Sequence, residues 1–129
     1  RYTLLEQAAL AGFMNPALAR GVGVVIGGPY NSGVLATGPQ PGAHYNYDLA
    51  PQWVLDRAGA LKAVCDAHHV RLVDAAFQFP LRHKAVVSVI PGGQAEAEMA
   101  SNLSAATAGI PDALWADLRA QGLIDPDCP

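Results

Sequence analysis

The segment Val86-Val-Ser-Val-Ile-Pro-Gly-Gly-Gln-Ala-Glu-Ala-Glu-Met-Ala-Ser-Asn-Leu103 holds the residues best suited to chemistry in this chain. An apolar run, Val86 to Ile90, meets a Pro-Gly-Gly turn and then a helical pattern, predicted for Gln94 to Ala105. A glycine turn that opens a helix leaves backbone N–H groups unpaired beside the positive end of the helix dipole. Such a turn binds phosphate without a basic side chain. A second glycine-rich segment, Gly27-Gly-Pro-Tyr-Asn-Ser-Gly33, follows another apolar run and opens a long stretch without periodicity, Gly27 to Asp48. Loops of that length in a compact body are usually functional.

Other chemistry is weaker. Gly21, Gly23 and Gly27 mimic a dinucleotide fingerprint, but they lie within the apolar run rather than after it. His44, His68, His69 and His83 have no metal-ligand spacing, and capping or surface roles suit them better. Trp53 and Trp115 read as packing anchors. Cys65 and Cys128 are far apart, which fits free thiols in a reducing cytoplasm. Asn102-Leu-Ser104 is a formal glycosylation sequon, discounted because it falls within a predicted helix.

Composition narrows the partners. The net charge is −3, with no basic run, which argues against nucleic acid. No apolar run reaches the roughly 18–20 residues that span a bilayer. Charged residues make up 15% and apolar residues 51%, against a usual charged share of about 25%. That balance suits a piece with more interior than surface.

The remaining elements follow from periodicity. Arg1 to Leu5 reads as a strand with Tyr2 and Leu4 on one face, and Glu6 to Arg20 as a helix closed by Gly21. Val22 to Ile26 reads as a strand buried on both faces of a parallel sheet. Val54, Ala58, Leu61 and Cys65 mark one face of a helix from about Pro51. A second helix covers about Leu72 to Leu81, and Val86 to Ile90 is a short buried strand. The last helix opens with Pro111 at its first position, buries Leu114, Trp115 and Leu118, and stops at Gly122-Leu123. Strands alternating with helices predict an α/β fold with a parallel sheet. Three such strands cannot easily stand alone; the count fits part of a (β/α)8 barrel, which needs about 250 residues.

With the elements in this order, five blocks resemble the aldo-keto reductase family. They are Arg1-Tyr-Thr-Leu-Leu-Glu6, Gly27-Gly-Pro-Tyr-Asn-Ser-Gly-Val-Leu35, Ala76-Phe-Gln-Phe-Pro-Leu81, Ser88-Val-Ile-Pro-Gly92 and the tail from Trp115 to Pro126. The resemblance implies that residues 1–129 form a partial TIM barrel, the sixth to eighth strands and their helices. It is most similar to the sugar- and pyridoxal-oxidising members. It implies hydride transfer between a nicotinamide and a carbonyl or alcohol carbon, with an aldose of the L-fucose or L-galactose type oxidised at C1 to the lactone. A pyridoxal dehydrogenase and an inactive nucleotide-binding remnant are the alternatives. The family's tyrosine, lysine, aspartate and histidine tetrad maps onto no position of this chain. The chain alone is therefore expected to be inactive, relying on the missing barrel half or on self-association.

By the same resemblance, Gly28, Pro29, Tyr30, Asn31 and Ser32 match the segment beside the pyrophosphate and nicotinamide. Gly92, Gly93 and Gln94 match the adenosine-phosphate turn, and Asn102 matches a position that contacts adenine. Where many members place an aromatic ring on the nicotinamide, this chain has Gly27, so another ring such as Tyr30, or hydrogen bonds, must serve. Members that prefer NADPH hold a basic residue and an arginine where this chain has Gly92 and Glu98. A carboxylate there would repel a 2′-phosphate and could accept from a ribose 2′-OH, so NAD is expected over NADP. The implied substrate is a small sugar, alcohol or aldehyde, and the implied location is the cytoplasm.

Overall fold

The computed structural model describes residues 1–129 throughout. Its centre is a parallel pair of strands, β1 (Val24–Gly27) and β4 (Val86–Ile90). Val25, Ile26 and Gly27 face Ser88, Val89 and Ile90, with a bulge between Val24 and Val25. Both strands run in one direction, so both end at the same edge. There Gly28 N–H donates to Ile90 O at 3.1 Å, carrying the pairing into the loops.

Between the two strands the chain makes a 3-10 turn (Asn31–Gly33), a short helix α2 (Val34–Thr37), and a hairpin of β2 (His44–Tyr45) and β3 (Asp48–Leu49). Helices α3 (Gln52–Ala67) and α4 (Leu72–Leu81) complete this crossover. Helix α3 buries Val54, Ala58, Leu61 and Cys65, the stripe expected from its spacing. Helix α4 is apolar on most sides and buries Ala75, Ala76, Phe77 and Phe79. After β4 come α5 (Glu96–Ala106) and α6 (Asp112–Ala120). Gln78 of α4 donates to the carbonyls of Ala105 and Ala106, both at 2.8 Å, satisfying groups that the end of α5 leaves open. Trp115 and Leu118 seat α6 in the core, with Phe79 against the Trp115 ring and the Arg82 guanidinium 4.9 Å above it. Gly122, at φ +66, ends α6 in the left-handed turn read from the sequence.

Several expectations need correcting. Arg1 to Leu5 is not a strand. Thr3 and Glu6 exchange backbone hydrogen bonds and the Thr3 hydroxyl accepts the Glu6 N–H, so the segment is a turn; Tyr2 through Leu5 are all buried, without alternation. The first helix starts late, as a π-helical turn (Leu10–Met14) leading into α1 (Asn15–Ala19). Pro16 lacks the N–H that a regular ladder would use there. Neither central strand is covered on both faces: Val25, Val87 and Ile90 are more than half exposed, because no further sheet layer or strand packs on them. The predicted irregular stretch contains the α2 turn and the hairpin, whose strands are too short for a two-residue period to register. Helix α5 begins at Glu96 rather than Gln94, and Pro111 caps α6 rather than starting it. Trp53 is half exposed, edge-on to Tyr45.

His83 is a further correction, being 2% exposed rather than on the surface. Its Nδ1 accepts the Ala85 N–H at 3.2 Å, which leaves the proton on Nε2, 3.2 Å from Asn15 Oδ1. Burial pushes its pKa below the ordinary histidine value of 6.5. Above pH 6.5 the ring is neutral folded and unfolded alike. Below it the unfolded ring takes a proton that the folded one resists, so stability falls as the pH drops. Chemical denaturation between pH 7.5 and 5 should show the wild type losing more stability than a His83→Gln variant.

Candidate functional site

Because β1 and β4 end together, the loops that leave them form the two sides of one groove. Its volume is about 960 Å³. Gly28, Tyr30, Asn31 and Ser32 line one side, and Gly92, Gly93, Gln94, Glu98 and Asn102 the other. Of the residues singled out from the sequence, only Pro29 does not line it. Sequence reasoning missed Arg1, Ala36, Thr37, Val73 and Ser101, which also line the groove, while the stretch Gly27 to Asp48, read as functional, supplies His44 and Tyr47. Most of these come from helices and the hairpin rather than the glycine segments, and no local spacing marks them.

The β4 side is built from main chain. The N–H groups of Gly92, Gly93, Ala95, Glu96 and Ala97 have no acceptor within the protein. Gln94 N–H is the exception, donating to Glu98 Oε2 at 2.6 Å. Glu98 thus reaches back over the start of α5, the arrangement by which a carboxylate in the first turn stabilises a helix opening. Its other oxygen makes no hydrogen bond in the protein. A side chain at Gly93 would come within 2.7 Å of Met99 Sδ, whereas one at Gly92 would meet nothing within 4 Å.

The β1 side is strained. Gly28, Asn31, Ser32 and Gly33 all have positive φ, so the chain turns tightly, with the N–H groups of Gly28, Asn31 and Gly33 paired to Ile90 O, Gly28 O and Tyr30 O. Asn31 is 2% exposed; its side-chain N–H₂ donates to the Glu6 carboxylate, and its Oδ1 has no partner. Glu6 also pairs with Arg1 at 3.2 Å.

One side chain ties the two sides together. Asn102, matched by the resemblance to a position that contacts adenine, is 6% exposed and engaged inside the protein. Its Oδ1 accepts from the Tyr30 hydroxyl at 2.8 Å, and its Nδ2 donates to Gly92 O at 3.0 Å. Tyr30 is itself buried, with its hydroxyl committed, so it does not present a free ring face as a stacking platform. Burial, and then the nearby Asp74 carboxylate, push its pKa up to about 12. The phenol therefore stays a neutral donor at physiological pH.

Known proteins share this arrangement of turns and strands in sequence. The model of the Aldo/keto reductase family matches residues 1–121. The chain belongs to the aldo/keto reductase family. It is 41% identical over 125 residues to a pyridoxal 4-dehydrogenase of Microbacterium luteolum, covering 96% of this chain and 36% of that protein. It is 38% identical over 125 residues to a D-threo-aldose 1-dehydrogenase of Pseudomonas sp, covering 96% of this chain and 38% of that protein. The chain therefore spans little more than a third of the length of the curated relatives it matches. Members of the family are (β/α)8 barrels that use a nicotinamide coenzyme, and the α/β fold with its small parallel sheet accords with part of such a barrel. None of the helices is long and apolar enough to cross a membrane.

The link through Asn102 has a measurable consequence. Tyr30→Phe leaves Asn102 Oδ1 buried without a donor, and Asn102→Ala strands both the Tyr30 hydroxyl and Gly92 O. Urea unfolding should give losses of about 1–3 kcal/mol for each. The double variant should lose clearly less than the sum of the two, by about 0.5 kcal/mol or more, because the residues share one bond.

Proposed function

We propose that this chain is the coenzyme-binding, C-terminal part of the barrel of an NAD-dependent dehydrogenase that oxidises an aldose at C1 to the lactone. The observation that carries the proposal is the set of unpaired amides of Gly92, Gly93 and Ala97 in residues that line a groove beside the strained turn of residues 28–33. Free amides at a helix opening suit an anionic phosphate, and the groove has room for an extended ligand. The residues present therefore fit a dinucleotide. When bound, the coenzyme supplies the acceptor for the hydride.

In this reading the Gly92, Gly93 and Ala97 amides hold the adenosine end, and the turn carrying Gly28, Asn31 and Ser32 lies along the diphosphate and nicotinamide. Pro29 shapes that turn from behind. Tyr30 and Asn102 position the two sides. Glu98 favours NAD. Its unbonded oxygen can accept a ribose 2′-hydroxyl, and its charge opposes a 2′-phosphate. The tetrad that moves the proton is expected from barrel strands outside these 129 residues. The open faces of β1 and β4, with Val25, Val87 and Ile90, are where that remainder, or a second copy of the chain, would pack.

A second reading, oxidation of pyridoxal, is favoured by the 41% identity to a pyridoxal 4-dehydrogenase. Turnover of aldoses and of pyridoxal by the full-length enzyme separates the two. Coenzyme choice tests the site itself. Glu98→Arg combined with Gly92→Lys, the latter in open space, should shift the ratio of kcat/KM for NADP over NAD upward by roughly tenfold or more. An unchanged ratio would remove the turn after β4 from the coenzyme site.

A further inference from the structure

A second cavity, of about 430 Å³, shares no residue with the groove. It lies where the turn before the first helix, helix α3 and the tail after α6 meet. Two opposite charges line it, Arg57 on α3 and Asp125 in the tail. They do not pair with each other, and neither joins any other ion pair in the protein. Both are half-buried. Opposite charges on the wall of one small cavity gain by meeting, since partial burial weakens the solvation of each.

Each also keeps bonding capacity unused. Arg57 Nη2 donates to Leu123 O at 2.8 Å, which fixes the guanidinium against the tail, but its Nε is buried without an acceptor. An unpaired buried N–H on a charged group is costly, and it calls for a partner from outside the chain. Asp125 Oδ1 accepts the Asp127 N–H at 2.9 Å, and its other oxygen has no donor. Gln7, also on the wall, donates through Nε2 to Thr3 O and Leu4 O, each at 2.8 Å, so its Oε1 is an open acceptor. Leu5, Leu10 and Ile124 supply apolar wall.

We propose that this cavity binds a small zwitterionic α-amino acid with an apolar side chain. Its carboxylate would meet Arg57, its ammonium Asp125 and Gln7 Oε1, and its side chain Leu5, Leu10 and Ile124. A simple anion would be repelled by Asp125 and a simple cation by Arg57, whereas a ligand of both signs satisfies both walls. A cavity of this size holds a small molecule. The inference stands apart from the dehydrogenase reading, because it uses no residue of the coenzyme groove.

Calorimetric titration of the full-length protein with L-leucine tests it, beside isocaproate, which lacks the ammonium, and isoamylamine, which lacks the carboxylate. Leucine should bind with a Kd of about 1 mM or tighter, and each analogue at least roughly tenfold more weakly. Asp125→Asn keeps an acceptor for the Asp127 N–H and should weaken leucine binding about tenfold in a folded protein; Arg57→Gln should do the same. If Arg57→Gln unfolds with the loss of its Leu123 bond, Asp125→Asn decides alone. Equal binding by either analogue, or a leucine Kd unmoved in Asp125→Asn, overturns the proposal. So does the absence of leucine binding at about 10 mM, which would leave the Arg57 N–H to water.

Discussion

The parallel pairing of Val24–Gly27 with Val86–Ile90 is the constraint on which the groove depends. Antiparallel strands would end at opposite edges, and their following turns would lie far apart. Parallel strands end together, and the crossover between them must be long enough to return the chain to its starting edge. That requirement accounts for α2, the hairpin, α3 and α4. It also sets the tight turn of residues 28–33 beside the glycine turn at 92–93, where the Gly28–Ile90 hydrogen bond and the Tyr30–Asn102–Gly92 link lock their spacing. Ligands of open α/β sheets bind at this carboxyl edge of the strands for the same geometric reason.

The groove attracts anions through backbone rather than through side-chain charge. The chain carries a net charge of −3, and only Arg1 brings a cationic side chain to the groove wall, already paired with Glu6. Unpaired amides and a helix dipole act over short range and point in fixed directions, so they favour a ligand of the right shape over any polyanion. Glu98 adds discrimination: it stabilises the opening of α5 through Gln94 and places negative charge beside the turn.

Much of this is legible from residue order. The α3 stripe of Val54, Ala58, Leu61 and Cys65, the bounds of α4 and β4, and the Gly21 and Gly122 endings follow from local periodicity and from glycine's tolerance of positive φ. The blocks of family resemblance agree with the match of the family model over residues 1–121. The features that residue order misses are those decided by long-range partners. Tyr2 and Leu4 alternate like a strand, yet the Thr3–Glu6 hydrogen bonds make a turn. Val25 and Val87 look like interior residues but have nothing over them. Asn102 reads as a ligand contact, and its engagement by Tyr30, seventy-two positions away, leaves no mark in sequence.

If the two turns at the ends of β1 and β4 bind the coenzyme together, it must shield the amides of both. Amide hydrogen exchange of the full-length enzyme, with and without NAD, reads this out directly. Exchange should slow at Gly92–Ala97 and at Gly28–Gly33, with the Leu5–Ala11 segment and α6 unchanged. Protection confined to other segments, or to one of the two turns, would contradict a shared coenzyme site.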